Sequence, residues 1–174
     1  MNGDPAMSAI EEKLEKGKEQ KDRGNGEFKK GNLVEALRFY HHATLYLNGL
    51  DNAGAAAFVP SKPLEAGQKK EIKETLNACY GNMAACYLKQ NNYEKCIKTC
   101  SKIIDSEPTA KAYFRRGLSH LELNAVEEAL KDLKKAVELA PQDKGIREGL
   151  ARAHAKEKEM DEKDKAAWRG KLKP

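Results

Sequence analysis

"AKAYFRRGLSHLELNAVEEALKDLKKAVELAP", residues Ala110 to Pro141, and "NACYGNMAACYLKQNNYEKCIKTCSKIIDSEP", residues Asn77 to Pro108, align with each other without a gap. Each has an aromatic near its start (Tyr113, Tyr80), a small residue four positions later (Gly117, Ala84) and a second small residue further on (Ala129, Cys96). Each closes on a proline, Pro141 or Pro108, which cannot continue a helix. Small residues at this spacing let the two helices of a hairpin approach closely. The turns between them, "KQNNYEK" and "ELNAVEE", carry asparagines that tolerate turn geometry.

A third copy lies earlier, in "EQKDRGNGEFKKGNLVEALRFYHHATLYLNGL", with Gly24 and Ala36 at the small positions, Tyr40 and Ala43 on the second helix, and "KKGN" at the turn. Its beginning is less apolar, as suits a solvent-facing first repeat. A period of about 34 residues with this pattern is the tetratricopeptide signature. The expected fold is therefore all-α, with three helix-turn-helix repeats at 17–50, 77–109 and 110–143; resemblance to that repeat class implies a right-handed superhelix. Residues 1–16 read as a tail or helix extension, and the opening "MNGDPAM" as polar and structureless. Residues 51–76 form an insert that breaks the period. Its Gly-, Ala- and Pro-rich front reads as a loop, and its end as an N-terminal extension of the next helix. In 144–174, Ile146, Leu150, Ala153 and Ala155 give way to charge, as expected of a capping helix that runs into solvent.

The bulk numbers agree with one modest folded array. The 174 residues are 40% hydrophobic, and 32 Lys+Arg stand against 27 Asp+Glu for a net charge of +5, a mild bias towards acidic partners that does not call for nucleic acid. No apolar run approaches the roughly 18 residues of a membrane span, and no leader with a cleavage site opens the chain. A cytoplasmic or nuclear location is the expectation.

The four cysteines, Cys79, Cys86, Cys96 and Cys100, lie at C-x6-C-x9-C-x3-C spacing, without the paired knuckles of common zinc sites. Core packing in a reducing compartment is the expected role. The four histidines, His41, His42, His120 and His154, show no ligand spacing and are expected to be partly buried on helix faces. Neither metal nor cofactor is expected.

Subtracting the packing positions from the first helix of each repeat leaves Lys21 and Asn25, then Asn82, then Lys111 and Arg115. An asparagine inside the apolar "CYGNMAACYL" is costly unless its amide finds a partner. Arg116 and Lys30 are read as solvated. "KDRGN", "GNMAACY" and "KAYFRRG" resemble the groove motifs of tetratricopeptide co-chaperones that hold the free C-terminus of heat-shock chaperones of the 70- and 90-kDa classes. That resemblance implies that Lys21, Asn25, Asn82, Lys111 and Arg115 form a carboxylate clamp, the lysines supplying charge and the amides directional hydrogen bonds.

The insert, the extended helix and the tail "DEKDKAAWRGKL" are further similar to the C-terminal half of large FKBP-type immunophilins, including the aryl-hydrocarbon-receptor-interacting branch. Immunophilins carry prolyl isomerase activity in a separate β-rich domain, which nothing here resembles, so the chain is expected not to be an enzyme. Nor is there a nucleophile elbow, phosphate loop or metalloprotease motif. Two other readings stay open: a general repeat scaffold that ignores the free carboxylate, and a thiol-based metal or redox protein. Trp168 beside "RGKLKP" also marks the tail as a place for calmodulin, although acidic residues interrupt its basic face.

Overall fold

A computed structural model of the chain describes residues 5–48, 50 and 64–171. The described residues form helices and no strand: α1 (Pro5–Lys29), α2 (Leu33–Leu47), α3 (Ala66–Lys89), α4 (Tyr93–Ser106), α5 (Ala110–Glu122), α6 (Val126–Leu139) and α7 (Lys144–Lys171). The opening stretch departs from expectation, because α1 already begins at Pro5. Of the insert expected at 51–76, residues 51–63 lie outside the described residues, and α3 takes up the remainder from Ala66.

Turn chemistry sets the helix boundaries. The residue after each of α1, α3 and α5 that turns the chain has a left-handed backbone: Gly31 at φ 84°, Asn91 at φ 56° and Asn124 at φ 60°. Glycine adopts that conformation without cost, and asparagine is the side chain that tolerates it best. The amide three residues beyond the helix then reaches back across the last turn, Asn32 N–H to the Glu27 carbonyl at 3.0 Å and Ala125 N–H to the His120 carbonyl at 2.9 Å. This closure satisfies carbonyls that a helix end would otherwise strand. At the other ends, Thr109 Oγ1 accepts from Ala112 N–H at 3.2 Å to start α5, and Asp143 Oδ1 accepts from Ile146 N–H at 3.1 Å to start α7.

The chain divides into two compact units, Met1–Gln90 and Asn91–Pro174. In the first, α1 and α2 form an antiparallel hairpin and α3 packs on both. The hairpin closes on Gly24, where an added Cβ would lie 2.6 Å from the Tyr40 ring, so only glycine fits there. Tyr40, Ala36 and Ala43 are fully buried against that crossing. At one end Leu14, Leu47, Leu64 and Ile72 form a second apolar cluster.

In the second unit, α5 and α6 repeat the hairpin, α4 covers one side of α5, and α7 lies mainly on α6. Gly117 plays the part of Gly24: a Cβ there would come within 2.8 Å of Leu133 Cγ. Leu133 is wholly buried, among Leu121, Val126, Ala129, Leu130 and Ala153, with Phe114 and Leu150 at the margin. Only the start of α7 joins this core, through Ile146 and Ala153; from Glu157 onward every described side chain is exposed.

Leu133 is the side chain on which three helices of the second unit converge. Truncating it to alanine opens a cavity that the tight Gly117 crossing cannot collapse, at a cost of about 2–5 kcal/mol. Urea denaturation of Leu133→Ala should show that loss; a change within about 0.5 kcal/mol, as at an ordinary surface site, would mean that the crossing is not where this unit stores its stability.

Candidate functional site

The first unit brings Lys21, Asn25 and Asn82 to one place. Lys21 and Asn25 stand one turn apart on α1, and Asn82 reaches across from α3 to donate its Nδ2 to Asn25 Oδ1 at 2.8 Å. The same oxygen accepts the Tyr40 hydroxyl from α2 at 3.0 Å. Asn25 thus ties together all three helices of its unit, and its own Nδ2 donates to Asp22 Oδ1 at 3.3 Å. Lys21 Nζ stands 3.6 Å from that oxygen, with a quarter of its side chain exposed.

Asn82 therefore solves the cost of an amide in an apolar helix by bonding inward, to Asn25, rather than simply facing out. Burial pushes the Tyr40 phenol up to about 12, with the neighbouring Cys86 adding to the shift and the Asn82 hydrogen bond opposing it. Tyr40 stays a protonated donor across the physiological range.

Lys111 and Arg115 stand one turn apart on α5 in the second unit, Lys111 exposed and Arg115 half-buried. The Arg115 main chain is fixed through its carbonyl, which accepts the Ser119 hydroxyl at 2.9 Å.

Arg116 departs from the expectation of a solvated cation. Its guanidinium donates Nε to Asp132 Oδ2 at 2.7 Å and Nη2 to Asp132 Oδ1 at 2.8 Å, and its Nη1 bonds Ser101 Oγ at 2.9 Å. Asp132 is only 4% exposed. A planar fork meeting a carboxylate with two parallel bonds is the strongest form of side-chain pairing. The clustered charge of "KAYFRRG" is thereby reduced, because Asp132 of α6 neutralises Arg116. Lys30, by contrast, is largely exposed and pairs with Glu27 at 2.8 Å on the same helix.

The histidines are less buried than expected. His41, His42 and His154 are exposed, and only His120 is half-buried, near Asp132. Its burial lowers its pKa, against the pull of the Asp132 carboxylate. No group of three or more metal-ligating side chains is assembled among the described residues.

All four cysteines are free thiols with no exposed surface. Burial pushes the Cys79 thiol up to about 12. Cys96 and Cys100 lie one turn apart on α4, their sulfurs 4.0 Å from each other. The hydrogen bond to Cys96 and burial both raise the Cys100 pKa. The same hydrogen bond lowers the Cys96 pKa, against the effect of burial and with help from Ser119 and Arg115, but its sulfur has no exposed surface at which a reagent could meet it.

Residues 78–109 and 110–143 each match the tetratricopeptide repeat family. They are tetratricopeptide repeats. Over 165 residues the chain is 31% identical to "Peptidyl-prolyl cis-trans isomerase FKBP42" of Arabidopsis thaliana, covering 94% of this chain and 43% of the relative. The chain thus spans under half the length of that protein.

Among solved structures, the C-terminal TPR-containing domain of a putative FK506-binding protein of Plasmodium falciparum superposes with a TM-score of 0.76 at 27% identity, covering 88% of this chain and 95% of that one. The second TPR domain of human RPAP3, in complex with the HSP70 peptide SGPTIEEVD, superposes with a TM-score of 0.60 at 25% identity, covering 83% and 98%. Tetratricopeptide repeats are protein-interaction modules and not catalytic ones, so the isomerase activity in the first relative's name is not transferred to these helices.

The two candidate features differ in what their loss should do to the fold. Asp132→Ala leaves Arg116 half-buried without its anion, an arrangement that costs about 3 kcal/mol or more. Lys30→Ala removes an exposed pair worth under about 1 kcal/mol. Guanidinium denaturation of both variants should separate them clearly; equal effects would show Arg116 to be solvated after all.

Proposed function

We propose that the chain is a co-chaperone interaction module that binds an acidic peptide ending in a free carboxylate, of the EEVD type carried by heat-shock chaperones. Lys21, Asn25 and Asn82 in the first unit, and Lys111 and Arg115 in the second, supply the contacts. The observation that carries this reading is the placement of Asp22. A carboxylate oxygen already rests between Lys21 Nζ and Asn25 Nδ2, at 3.6 Å and 3.3 Å. A cation and an amide donor held together in this way form a carboxylate receptor, and the side chain of Asp22, 69% exposed, is free to swing aside for a competing anion.

The likeness to immunophilin repeat domains and to a repeat domain holding an EEVD peptide supports the same assignment. The parent protein, in this reading, is an FKBP-type immunophilin acting in the cytoplasm, where four buried free thiols are at home. The repeats would deliver it to 70- or 90-kDa chaperones.

Charge-assisted hydrogen bonds contribute roughly 1.5–3 kcal/mol each, but an extended peptide loses conformational freedom on docking. A dissociation constant of about 1–100 μM follows, equivalent to about −8 to −5.5 kcal/mol. Binding should weaken as salt screens the cations.

Calorimetric titration with SGPTIEEVD and with Met-Glu-Glu-Val-Asp, each beside its C-terminally amidated twin, tests the reading. Micromolar affinity that is lost on amidation, and reduced at least tenfold in Lys111→Ala, is the expected result. Equal affinity for acid and amide would instead leave a repeat scaffold indifferent to the peptide terminus.

A further inference from the structure

Lys21, Asp22 and Asn25 lie within five consecutive residues of α1, and one carboxylate oxygen reaches both of the others. Asp22 Oδ1 stands 3.3 Å from Asn25 Nδ2 and 3.6 Å from Lys21 Nζ. These are the two groups that an incoming carboxylate would use. The Asn25 amide has no second face to offer, because its Oδ1 already accepts from Tyr40 and Asn82 at 3.0 Å and 2.8 Å.

We propose that Asp22 is a resident competitor for the carboxylate seat: its side chain fills the seat in the free protein and must turn out of it when a peptide terminus binds. This rests on the carboxylate-binding reading above and adds to it a residue that sets the affinity without contacting the bound peptide. Counting donors does not make the two anions exclusive, since an amide NH2 carries two hydrogens and an ammonium three. Charge does. A second carboxylate bridging the same pair of nitrogens would lie against the first, and like charges in contact disfavour each other. Asp22 is the anion that yields. Its side chain is 69% exposed, so turned outward its carboxylate is hydrated by bulk water, whereas Lys21, with 25% of its side chain exposed, has less room to follow it. What Asp22 gives up is one exposed ion pair and one long hydrogen bond, so it weakens the seat without closing it.

Asp22→Ala removes the competitor and puts a better helix former into α1, so the fold is retained. Calorimetric titration of the wild type and this variant with Met-Glu-Glu-Val-Asp and its C-terminally amidated twin is the test. The expected result is acid-peptide binding about three-fold tighter in Asp22→Ala, within the range that an exposed ion pair can withhold. The amidated peptide should gain less, so that the preference for acid over amide widens. Glu19→Ala is the control for charge alone. It removes an equal charge one turn earlier on the same helix, from a carboxylate 4.0 Å from Arg23, and should shift acid and amide peptides together.

Unchanged acid-peptide affinity in Asp22→Ala would overturn the competitor role. Weaker binding would overturn it too, by making Asp22 a support of the seat, and equal tightening towards acid and amide would reduce it to a diffuse charge effect. In each of these cases a wild-type preference for the free acid leaves the carboxylate reading standing. If neither protein prefers the free acid, that reading fails and the competitor role fails with it.

Discussion

The missing side chain at Gly24 is the constraint from which the first unit follows. Because nothing projects from α1 at that point, the Tyr40 ring of α2 lies directly across it, and the two helices approach closely enough to bury Ala36 and Ala43 completely. The same contact delivers the Tyr40 hydroxyl to the next residue along α1, Asn25. Packing and site geometry are thus set by one crossing. Gly117 and Leu133 repeat the arrangement in the second unit, and there too the neighbouring residue is the one engaged across the hairpin, Arg116 with Asp132. A glycine at the crossing and a polar anchor beside it is a local rule that both hairpins obey.

That rule explains how "KAYFRRG" tolerates three cations within one and a half turns. Arg116 is drawn into a bidentate pair with a nearly buried aspartate and a further bond to Ser101, so its charge does not add to those of Lys111 and Arg115. Breaking such a pair is far more costly than forming it is favourable, because the survivor is left with a charge it cannot solvate. The pair therefore fixes the rotation of α5 against α6 more than it stabilises the unit. A helix so fixed holds its remaining cations in a defined direction, which a surface lysine on a mobile helix does not achieve.

The repeats were legible because the features that encode them are local. A left-handed turn residue, a small residue at each helix crossing and a proline past the second helix are visible in a single line of sequence, and Gly31, Asn124, Gly117, Ala129 and Pro141 all sit where that pattern puts them. Pairing between helices was less legible. Asp132 lies between Leu130 and Leu133, in a row of core positions, and a carboxylate there is a signal that some cation must be buried with it; the sequence does not say that Arg116, and not Arg115, turns towards it. Tyr40 was visible as a core aromatic, but the use of its hydroxyl depends on a tertiary contact with Asn25. Asp22 was hidden for a different reason, since adjacent helix residues do not ordinarily face each other and only the reach of the Lys21 side chain joins the two. The first turns of α1 carry Ile10 and Leu14 four residues apart, but the partners that bury them, Leu47, Leu64 and Ile72, come from distant parts of the chain, so a helix extension could be read there without its starting point.

α7 shows why a helix outlasts the core that supports it. Its first turns are nailed to the second unit by Ile146 and Ala153, with Leu150 at the edge, and that contact supplies the nucleus whose formation is the unfavourable step in making any helix. Beyond it each further residue needs only to propagate, and the composition from Glu157 to Lys165 is dominated by Lys and Glu, both good helix formers. Side-chain pairs one turn apart assist: a hydrogen bond between His154 and Glu157 at 3.2 Å, and ion pairs of Lys163 with Glu159 at 2.6 Å and of Lys165 with Glu162 at 3.5 Å. At a few tenths of a kcal/mol each they could not start this helix, but they suffice to continue it. The result carries Trp168, two-thirds exposed, well past the last buried residue, on a segment whose order depends on the core far behind it.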